Sequence, residues 1–289
     1  MAHNSERLSR LRAVMGEQGI DVLYVRGLSN ISWATGFERV FDDEPAHALV
    51  VSARNCVLHT DSRYFDAMKS AAADTDIEVD NSRMAHSAVL AKVSDCIDGD
   101  IVRVGIEDSM PLAEYRALQR TFEGRAIDLV ELSGFVEELR QVKDESEITA
   151  MRKAQSITDA AFANIIAFMK PGMTEREVQL QLDRYMYEGG AEGLAFGTIV
   201  ATGAHAASPH AIPGETKLAF GDAVVMDFGA RYAGYCSDMT RTVFVGEPSD
   251  EVRRAYGAIR RANEECEAML RAGLSGADVH QHAEAVLEE

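Results

Sequence analysis

Two aspartates, Asp227 and Asp238, occupy positions from which their carboxylates could share a cation. Residues 224–246 indicate two antiparallel strands, with Asp227 near the end of the first and Asp238 near the start of the second. Positions disposed in this way can lie opposite each other with Cβ atoms ~5 Å apart, if the pleat turns both side chains to one face. Carboxylates ~4 Å apart repel by roughly 4 kcal/mol at an effective dielectric constant near 20. A shared proton, a basic side chain such as Arg241, or one or two divalent cations must then offset the charge.

Asp227 and Asp238 also have an ordinary interpretation as turn residues, since aspartate is common in turns. Against this, Asp227 directly continues the apolar run Val224, Val225 and Met226. A carboxylate that continues a buried strand is costly unless it is paired or bound to a metal. The spacing alone leaves the metal site and the turn open.

A histidine, His210, is the candidate for moving protons. It follows Ser208 and Pro209 in a loop rich in Gly, Ala and Pro, which also contains His205. Histidine is the side chain best suited to proton transfer near neutral pH. A loop histidine is often only a solvated residue, so the loop by itself does not decide its role.

The elements that must position these residues fall into two parts. The pattern predicts a helix over 6–19 and a second over 111–122. It predicts strands over 20–25, 47–52, 56–60 and 101–106. Strands that alternate with helices indicate an α/β domain. The sequence becomes strongly charged at 139–147, and we therefore predict one domain over 1–140 and a second over 141–289.

The second part begins with a long helix that ends at Lys170, Pro171 and Gly172, since Pro and Gly terminate helices. Thr174 and Glu177 have the spacing of a capping box and predict the start of the next helix. Strands are then predicted at 196–201, 223–228 and 240–245, with a turn-rich connection at 229–234.

A helix-ending segment recurs within this second part. The residues FMKPGMTEREV at 168–178 return as MLRAGLSGADV at 269–279, each with a glycine that ends a helix. If the repeat is real, the domain contains two similar halves of helices and sheet. Only ten residues follow the second copy, so we expect the second half to lack its sheet.

Composition disfavours several classes of protein. The chain has 289 residues, with 29 Lys and Arg against 47 Asp and Glu, a formal net charge of -18. This balance opposes nucleic-acid binding, which needs clustered basic residues. No apolar run approaches the ~20 residues that span a bilayer, and the charged N-terminus does not resemble an export signal. The four cysteines form no CxxC pair. We therefore expect a cytoplasmic protein that binds neither membrane nor nucleic acid.

The chain closely resembles the pita-bread metallopeptidases of the Xaa-Pro aminopeptidase and Xaa-Pro dipeptidase (prolidase) group, which carry a creatinase-like domain in front. In the N-terminal part the matching stretches are RLSRLRAVMGEQGIDVLYVRGLSNISWATGF and TDSRYFDAM. In the second part they are VKDESEITAMRKAQSITDAAF, KPGMTEREV, GAEGLAFGTIVATG, SPHAIP, GDAVVMDFGARYAGYCSDMTRT and VGEP, in that order. The implied fold is a creatinase-like α/β domain followed by an incomplete pita-bread α+β domain.

The resemblance implies a hydrolase that cleaves the bond between a peptide's first residue and a following proline. It implies that Asp227 binds one divalent cation and that Asp238 bridges two. His210 would lie outside the metal shell and contact substrate or carry a proton. Carboxylate-rich ligation suits Mn²⁺, with Co²⁺ or Zn²⁺ as alternatives. A homodimer is the expected assembly.

The family pattern breaks near the end of the chain. The family completes its site with a further histidine and two glutamates on later strands, and the chain stops before that region. We therefore expect a C-terminally truncated peptidase that is inactive alone. His280 and His282 are two residues apart on a predicted helix, which turns them to different sides, so an ordinary amphipathic helix accounts for them. The alternatives are a non-catalytic binding module and a creatinase-like amidinohydrolase that works without metal.

Overall fold

The computed structural model describes residues 2–42 and 44–288, which form two compact units, residues 1–149 and 150–289. The boundary lies in the first turns of a long helix. The division at 140–141 drawn from the charged sequence lies just ahead of that helix and stays a prediction. Within the described ranges, no helix is both long enough and apolar enough to cross a membrane.

The first unit is a six-stranded mixed sheet with helices. The strands are β1 (Val22–Val25), β2 (Ala48–Ser52), β3 (Cys56–His59), β4 (Glu78–Asp80), β5 (Val102–Glu107) and β6 (Ile127–Leu132), in the order β4-β3-β2-β1-β5-β6. The helices are α1 (Ala2–Glu17), α2 (Leu28–Thr35), α3 (Phe65–Ala71), α4 (His86–Ser94), α5 (Leu112–Thr121) and α6 (Phe135–Gln141). The predicted alternation of strands and helices is confirmed. Apolar clusters cover both faces of the sheet, which is why its central strands are almost continuously buried.

The second unit combines four helices with two three-stranded sheets. The helices are α7 (Glu145–Phe168), α8 (Glu175–Glu188), α9 (Asp250–Met269) and α10 (Gly276–Glu288). The strands are β7 (Gly193–Leu194), β8 (Ile199–Thr202), β9 (Ala223–Phe228), β10 (Ala230–Tyr232), β11 (Tyr235–Cys236) and β12 (Met239–Phe244). The sheet orders are β12-β9-β8 and β11-β10-β7. The strand predicted at 196–201 begins later than expected, because β8 starts only at Ile199; β7 ends before the predicted range, at Leu194.

A capping motif starts α7. The Asp144 carboxylate accepts hydrogen bonds from the Glu147 and Ser146 amides, and the Glu147 carboxylate accepts one from the Asp144 amide. Arg7 completes the cluster with an ion pair to Asp144 at 2.8 Å. Partial burial alone would raise the pKa of Asp144, but bonds from Ser146, the Glu147 amide and Arg7 outweigh it and hold the pKa well below its ordinary value.

We expect Asp144→Ala to lower the free energy of unfolding by about 2–3 kcal/mol at pH 7, since it removes a helix cap and an ion-pair partner of the buried Arg7. Because the folded pKa is depressed, this stabilisation is present above the unfolded pKa near ~3.9 and is lost as the pH falls below it. Urea unfolding at pH 7 and pH 3 measures the difference. Asp144→Asn, which keeps the cap but not the charge, should lie between; equal midpoints at pH 7 for wild type and Asp144→Ala would contradict the assignment.

The repeat seen in the sequence has a structural counterpart. In the first copy α7 and α8 flank Gly172, and in the second α9 and α10 flank Gly273; the two glycines have φ of 89° and 84°. Only glycine adopts this backbone region without strain. Thr174 caps α8 with the predicted capping box, in which Glu177 returns the bond to the Thr174 amide at 2.8 Å. The two predicted helix pairs are confirmed.

Strands β9 to β12 form one continuous ribbon, here called the central hairpin (residues 223–244). Phe228 pairs with Met239 and Arg231 with Cys236, which is the same register on both sides of Gly229. The connection predicted at 229–234 is therefore mostly strand, and only Ala233 and Gly234, both at positive φ, make the turn at the tip. One ribbon thus supplies strands to both small sheets.

One face of the central hairpin packs on α7 and α8. Along β9 the residues alternate, with Val224, Met226 and Phe228 fully buried against the helices. Period-two alternation sends the intervening residues, Val225 and Asp227, to the opposite face. The strand pattern therefore places Asp227 on the side of the sheet away from the helical core.

Candidate metal centre

Asp227 lies in the middle strand of its sheet. Its neighbours are Ile199 on β8 and Thr240 on β12. The residue is half-buried, and its Oδ1 atom is buried without a hydrogen-bond partner among the described residues. An ionised oxygen that is removed from water and left unpaired is costly. Since Asp227 has strand partners on both sides, its interpretation as a turn residue is wrong.

Asp238 precedes β12 directly and is exposed. It is two residues from Thr240, which is the partner of Asp227, so strand alternation places both aspartates on one face. They are diagonal neighbours rather than the directly opposed pair that we expected. Diagonal positions are roughly 7–8 Å apart at the backbone, still within reach of side chains that converge on a cation.

The basic side chain considered as a partner does not serve. Arg241 pairs with Met226 and so belongs to the opposite face of the sheet. Its Nη1 atom donates to the Thr240 carbonyl oxygen at 2.8 Å. Arg241 therefore does not offset the charge of the two aspartates, which leaves a shared proton or a bound cation.

The hairpin fits a divalent cation as far as its own residues go. It offers two carboxylates on one face, one of them with an oxygen that no protein donor satisfies. Hard oxygen donors of this kind suit Mn²⁺ and similar ions. Across residues 2–42 and 44–288, no group of three or more His, Cys, Asp or Glu side chains is arranged to hold a metal ion. The described residues thus offer two candidate ligands, Asp227 and Asp238.

The histidines near the C-terminus do not join these ligands. His282 contacts Glu265 of α9 at 2.9 Å, and His280 contacts Glu284 along its own helix at 3.4 Å. Both contacts lie on the α9 and α10 pair, which agrees with the interpretation of this segment as an ordinary amphipathic helix.

His210 lies in the loop that leaves β8, the strand beside Asp227. The chain passes from Thr202 into a short 3-10 helix, Gly203–Ala207, and His210 follows in an exposed turn. No hydrogen bond or ion pair involves its ring within the described part of the chain. The next residue, Ala211, is buried, so the loop is fixed directly beside a ring that remains accessible.

Sequence reasoning missed one carboxylate that organises this loop. Glu175, the first residue of α8, is fully buried. It accepts hydrogen bonds from the Thr202 amide, the Gly214 amide and His205 Nδ1, at 2.9, 3.1 and 2.8 Å. An acidic residue in the first turn of a helix is ordinarily a surface residue that favours the helix dipole. Its burial depends on a loop 30 residues away in sequence, so no local signal reveals it.

Asp183 is a partly buried carboxylate whose setting differs from that of Asp227. Burial raises the pKa of Asp183, and a hydrogen bond from the Thr198 hydroxyl at 2.5 Å opposes that shift. Asp183 therefore has the protein partner that Asp227 Oδ1 lacks, which makes it a useful control for substitutions at Asp227.

Two family models match the chain. The metallopeptidase family M24 model matches residues 149–289, and the creatinase/prolidase N-terminal domain model matches residues 7–142. Together they cover both units. The predicted fold, a creatinase-like α/β domain followed by a pita-bread domain, is confirmed by these matches.

Known proteins are similar over most of the chain. The uncharacterized peptidase YqhT of Bacillus subtilis is 33% identical over 273 residues, which cover 93% of this chain and 74% of that protein. The structure of an Xaa-Pro dipeptidase from Bacillus anthracis has a TM-score of 0.86 at 31% identity, covering 99% of this chain and 77% of that one. An X-Pro aminopeptidase from Thermotoga maritima has a TM-score of 0.82 at 31% identity, covering 98% and 77%. This chain thus spans about three quarters of the length of each relative.

Proposed function

This chain belongs to metallopeptidase family M24, and from that membership we propose that it is a metal-dependent peptidase that removes the N-terminal residue from peptides with proline in second position. Its relatives include proteins named as an Xaa-Pro dipeptidase and an X-Pro aminopeptidase. The single observation that carries the proposal is the buried Oδ1 of Asp227, an unpaired carboxylate oxygen on the same face as Asp238.

In this proposal Asp227 would hold one divalent cation and Asp238 would be shared by two. The chemistry that two bound cations supply is activation of a water nucleophile and polarisation of the peptide carbonyl. The chain's own contribution is geometric: the central hairpin fixes both carboxylates in a rigid backbone, so little reorganisation is needed when charge develops. Mn²⁺ is the proposed ion, with Co²⁺ or Zn²⁺ as alternatives.

His210 is proposed to contact the substrate or carry a proton during cleavage. Its ring is exposed while the next residue is buried, so the loop presents a movable donor and acceptor from a fixed position. A neutral imidazole has one nitrogen that donates and one that accepts, which suits transfer of a proton to the leaving proline nitrogen. A cytoplasmic location and a homodimer complete the proposal.

The proposal is tested with protein expressed from its complete reading frame. We expect hydrolysis of Ala-Pro or Ala-Pro-Ala in the presence of Mn²⁺, loss of activity after chelation, and no cleavage of Ala-Ala-Ala. Activity on the dipeptide alone would indicate a dipeptidase, and activity on the tripeptide an aminopeptidase. Metal-independent hydrolysis of creatine would favour an amidinohydrolase instead. Absence of both metal binding and hydrolysis would favour a binding module.

We expect His210→Ala to lower kcat for an Xaa-Pro substrate by about 100-fold, since a positioned acid or base contributes on the order of 10²–10⁴. The free energy of unfolding should change by no more than ~0.5 kcal/mol, because the ring is exposed. Steady-state kinetics and urea unfolding measure the two effects. Ser208→Ala, an exposed change in the same loop, is the control. A kcat for His210→Ala equal to that of Ser208→Ala would exclude His210 from the reaction.

A further inference from the structure

Glu175 joins the two ends of the loop that carries His210. Its Oε1 atom accepts from the amide of Thr202, the last residue of β8, and its Oε2 atom accepts from the amide of Gly214, where the loop returns to α8. Between them, His205 Nδ1 lies 2.8 and 2.9 Å from the two oxygens. We call these three bonds the Glu175 clamp. One carboxylate therefore fixes the start, the interior and the end of a single loop.

The main chain reinforces the return of the loop. The Arg176 amide donates to the Gly214 carbonyl oxygen at 3.1 Å, and the Glu175 amide donates to the Thr216 carbonyl oxygen at 3.0 Å. The first turn of α8 is thus bonded to the loop through both backbone and side chain. A shift of the loop would break several bonds together, so the loop has one well-defined position.

The chemistry of the clamp fixes the tautomer of His205. A carboxylate that accepts from backbone amides on both oxygens is best completed by a third donor, which assigns the donor role to Nδ1 of His205. The Glu175 carboxylate has no exposed surface, while 35% of the His205 side chain is exposed. Full burial of a carboxylate is tolerated only with complete hydrogen bonding, and the clamp provides it with three donors.

We propose that Glu175 is a positioning residue for the peptidase reaction, acting with His205 to hold the loop so that His210 meets the substrate. The inference rests on the proposed function and adds to it Glu175, which the sequence did not single out, and a role for His205. Glu175 does not touch the reacting atoms. It sets where His210 lies, and misplacement of a reacting group by ~1 Å costs on the order of 10²-fold in rate.

The ordinary role for Glu175 would be stabilisation of α8 alone. Glu177 provides the matched control, since it lies in the same helical turn and caps α8 through Thr174 without bonding to the loop. Both Glu175→Gln and Glu177→Gln are isosteric and remove one charge. The positioning role predicts that only the first changes the loop and the turnover.

Hydrogen exchange on the same protein tests the clamp without any measurement of activity. For Glu175→Gln we expect amides of residues 202–214 to exchange at least about 10-fold faster than in wild type. The glutamine NH₂ group cannot accept a hydrogen bond, so at least one of the three groups that donate to Glu175 loses its acceptor. For Glu177→Gln we expect faster exchange only around residues 174–178. Unchanged exchange of residues 202–214 in Glu175→Gln would overturn the clamp.

Kinetics of the protein from its complete reading frame test the positioning role. We expect Glu175→Gln to lower kcat by about 10- to 100-fold with unchanged Mn²⁺ affinity, and Glu177→Gln to keep the wild-type kcat. His205→Ala should lower kcat, and His205→Asn should recover most of it, because the asparagine Nδ2 atom occupies the place of the imidazole Nδ1 and can donate to Glu175. Equal kcat for Glu175→Gln and Glu177→Gln, or failure of His205→Asn to recover activity, would overturn the proposal. An inactive wild type would instead refute the proposed function, and the exchange result would still decide the clamp.

Discussion

Asp238→Asn should lower kcat/KM for an Xaa-Pro peptide by at least about 10³-fold, which corresponds to about 4 kcal/mol of transition-state stabilisation. The substitution keeps the shape of the side chain and removes the charge proposed to bridge two cations. Because Asp238 is exposed, the free energy of unfolding of the metal-free protein should stay within ~0.5 kcal/mol of wild type. Steady-state kinetics with added Mn²⁺, calorimetric Mn²⁺ titration and urea unfolding measure these effects.

The partner substitution distinguishes a ligand from a structural residue. Asp227→Asn should also abolish activity, yet it should stabilise the metal-free protein, because a buried charged oxygen without a partner is replaced by a neutral one. Asp183→Asn is the control: the asparagine amide oxygen can still accept from the Thr198 hydroxyl, so the substitution should leave both the fold and Mn²⁺ affinity unchanged. Wild-type activity in Asp238→Asn, or destabilisation by Asp227→Asn, would rule out the proposed metal site.

Gly229→Ala should lower the free energy of unfolding by about 3 kcal/mol or more and weaken Mn²⁺ binding. An added Cβ would lie 2.0 Å from the Ser237 carbonyl oxygen and 3.0 Å from Ala195 Cβ. The first distance is far inside van der Waals contact with a backbone atom, so the two strands must separate. The strands would separate next to Asp238, so the substitution should move the Asp238 carboxylate away from that of Asp227. Urea unfolding and calorimetric Mn²⁺ titration measure the two losses.

A glycine elsewhere in the same unit provides the comparison for this change. Gly257 lies inside α9, and an added Cβ there would meet nothing within 4 Å. Gly257→Ala should therefore raise the free energy of unfolding by roughly 0.5–1 kcal/mol through helix propensity. If Gly229→Ala unfolded at the wild-type urea concentration, the two strands could not approach each other at Gly229 as closely as described.

The elements that the sequence predicts well are those determined by neighbouring residues. The end of α7 follows from Pro171 and Gly172, and the start of α8 follows from the capping box of Thr174 and Glu177. All of these residues act within a few positions of the helix end that they determine. The strand that carries Asp227 follows from the apolar run Val224, Val225 and Met226. The face on which Asp227 lies is then set by period two, and the register meets the condition that the two aspartates share a face.

What the sequence could not predict depends on pairing between distant segments. The continuation of the hairpin past Gly229 requires Ala230 to bond with Ser237, and a glycine beside charged and aromatic residues looks locally like a turn. The diagonal relation of Asp227 and Asp238 depends on a register that no single strand specifies. Glu175 has the local appearance of a surface acid and becomes buried only through the distant loop that it bonds. Each of these features is specified by tertiary contacts, which local patterns do not contain.

At Gly229 one ribbon passes from one small sheet into the other, and Asp227 and Asp238 lie at that junction. The gap between their oxygens therefore depends on how the two strands meet at Gly229 as well as on rotamers. An ion bound by both carboxylates would cross-link the two strands at the junction. Removing the ion with a chelator should increase the mobility of the distal tip, residues 230–236, before that of the strands packed on the helices. The mobility of the tip would then report whether the ion is bound, although the tip itself does not contact the ion.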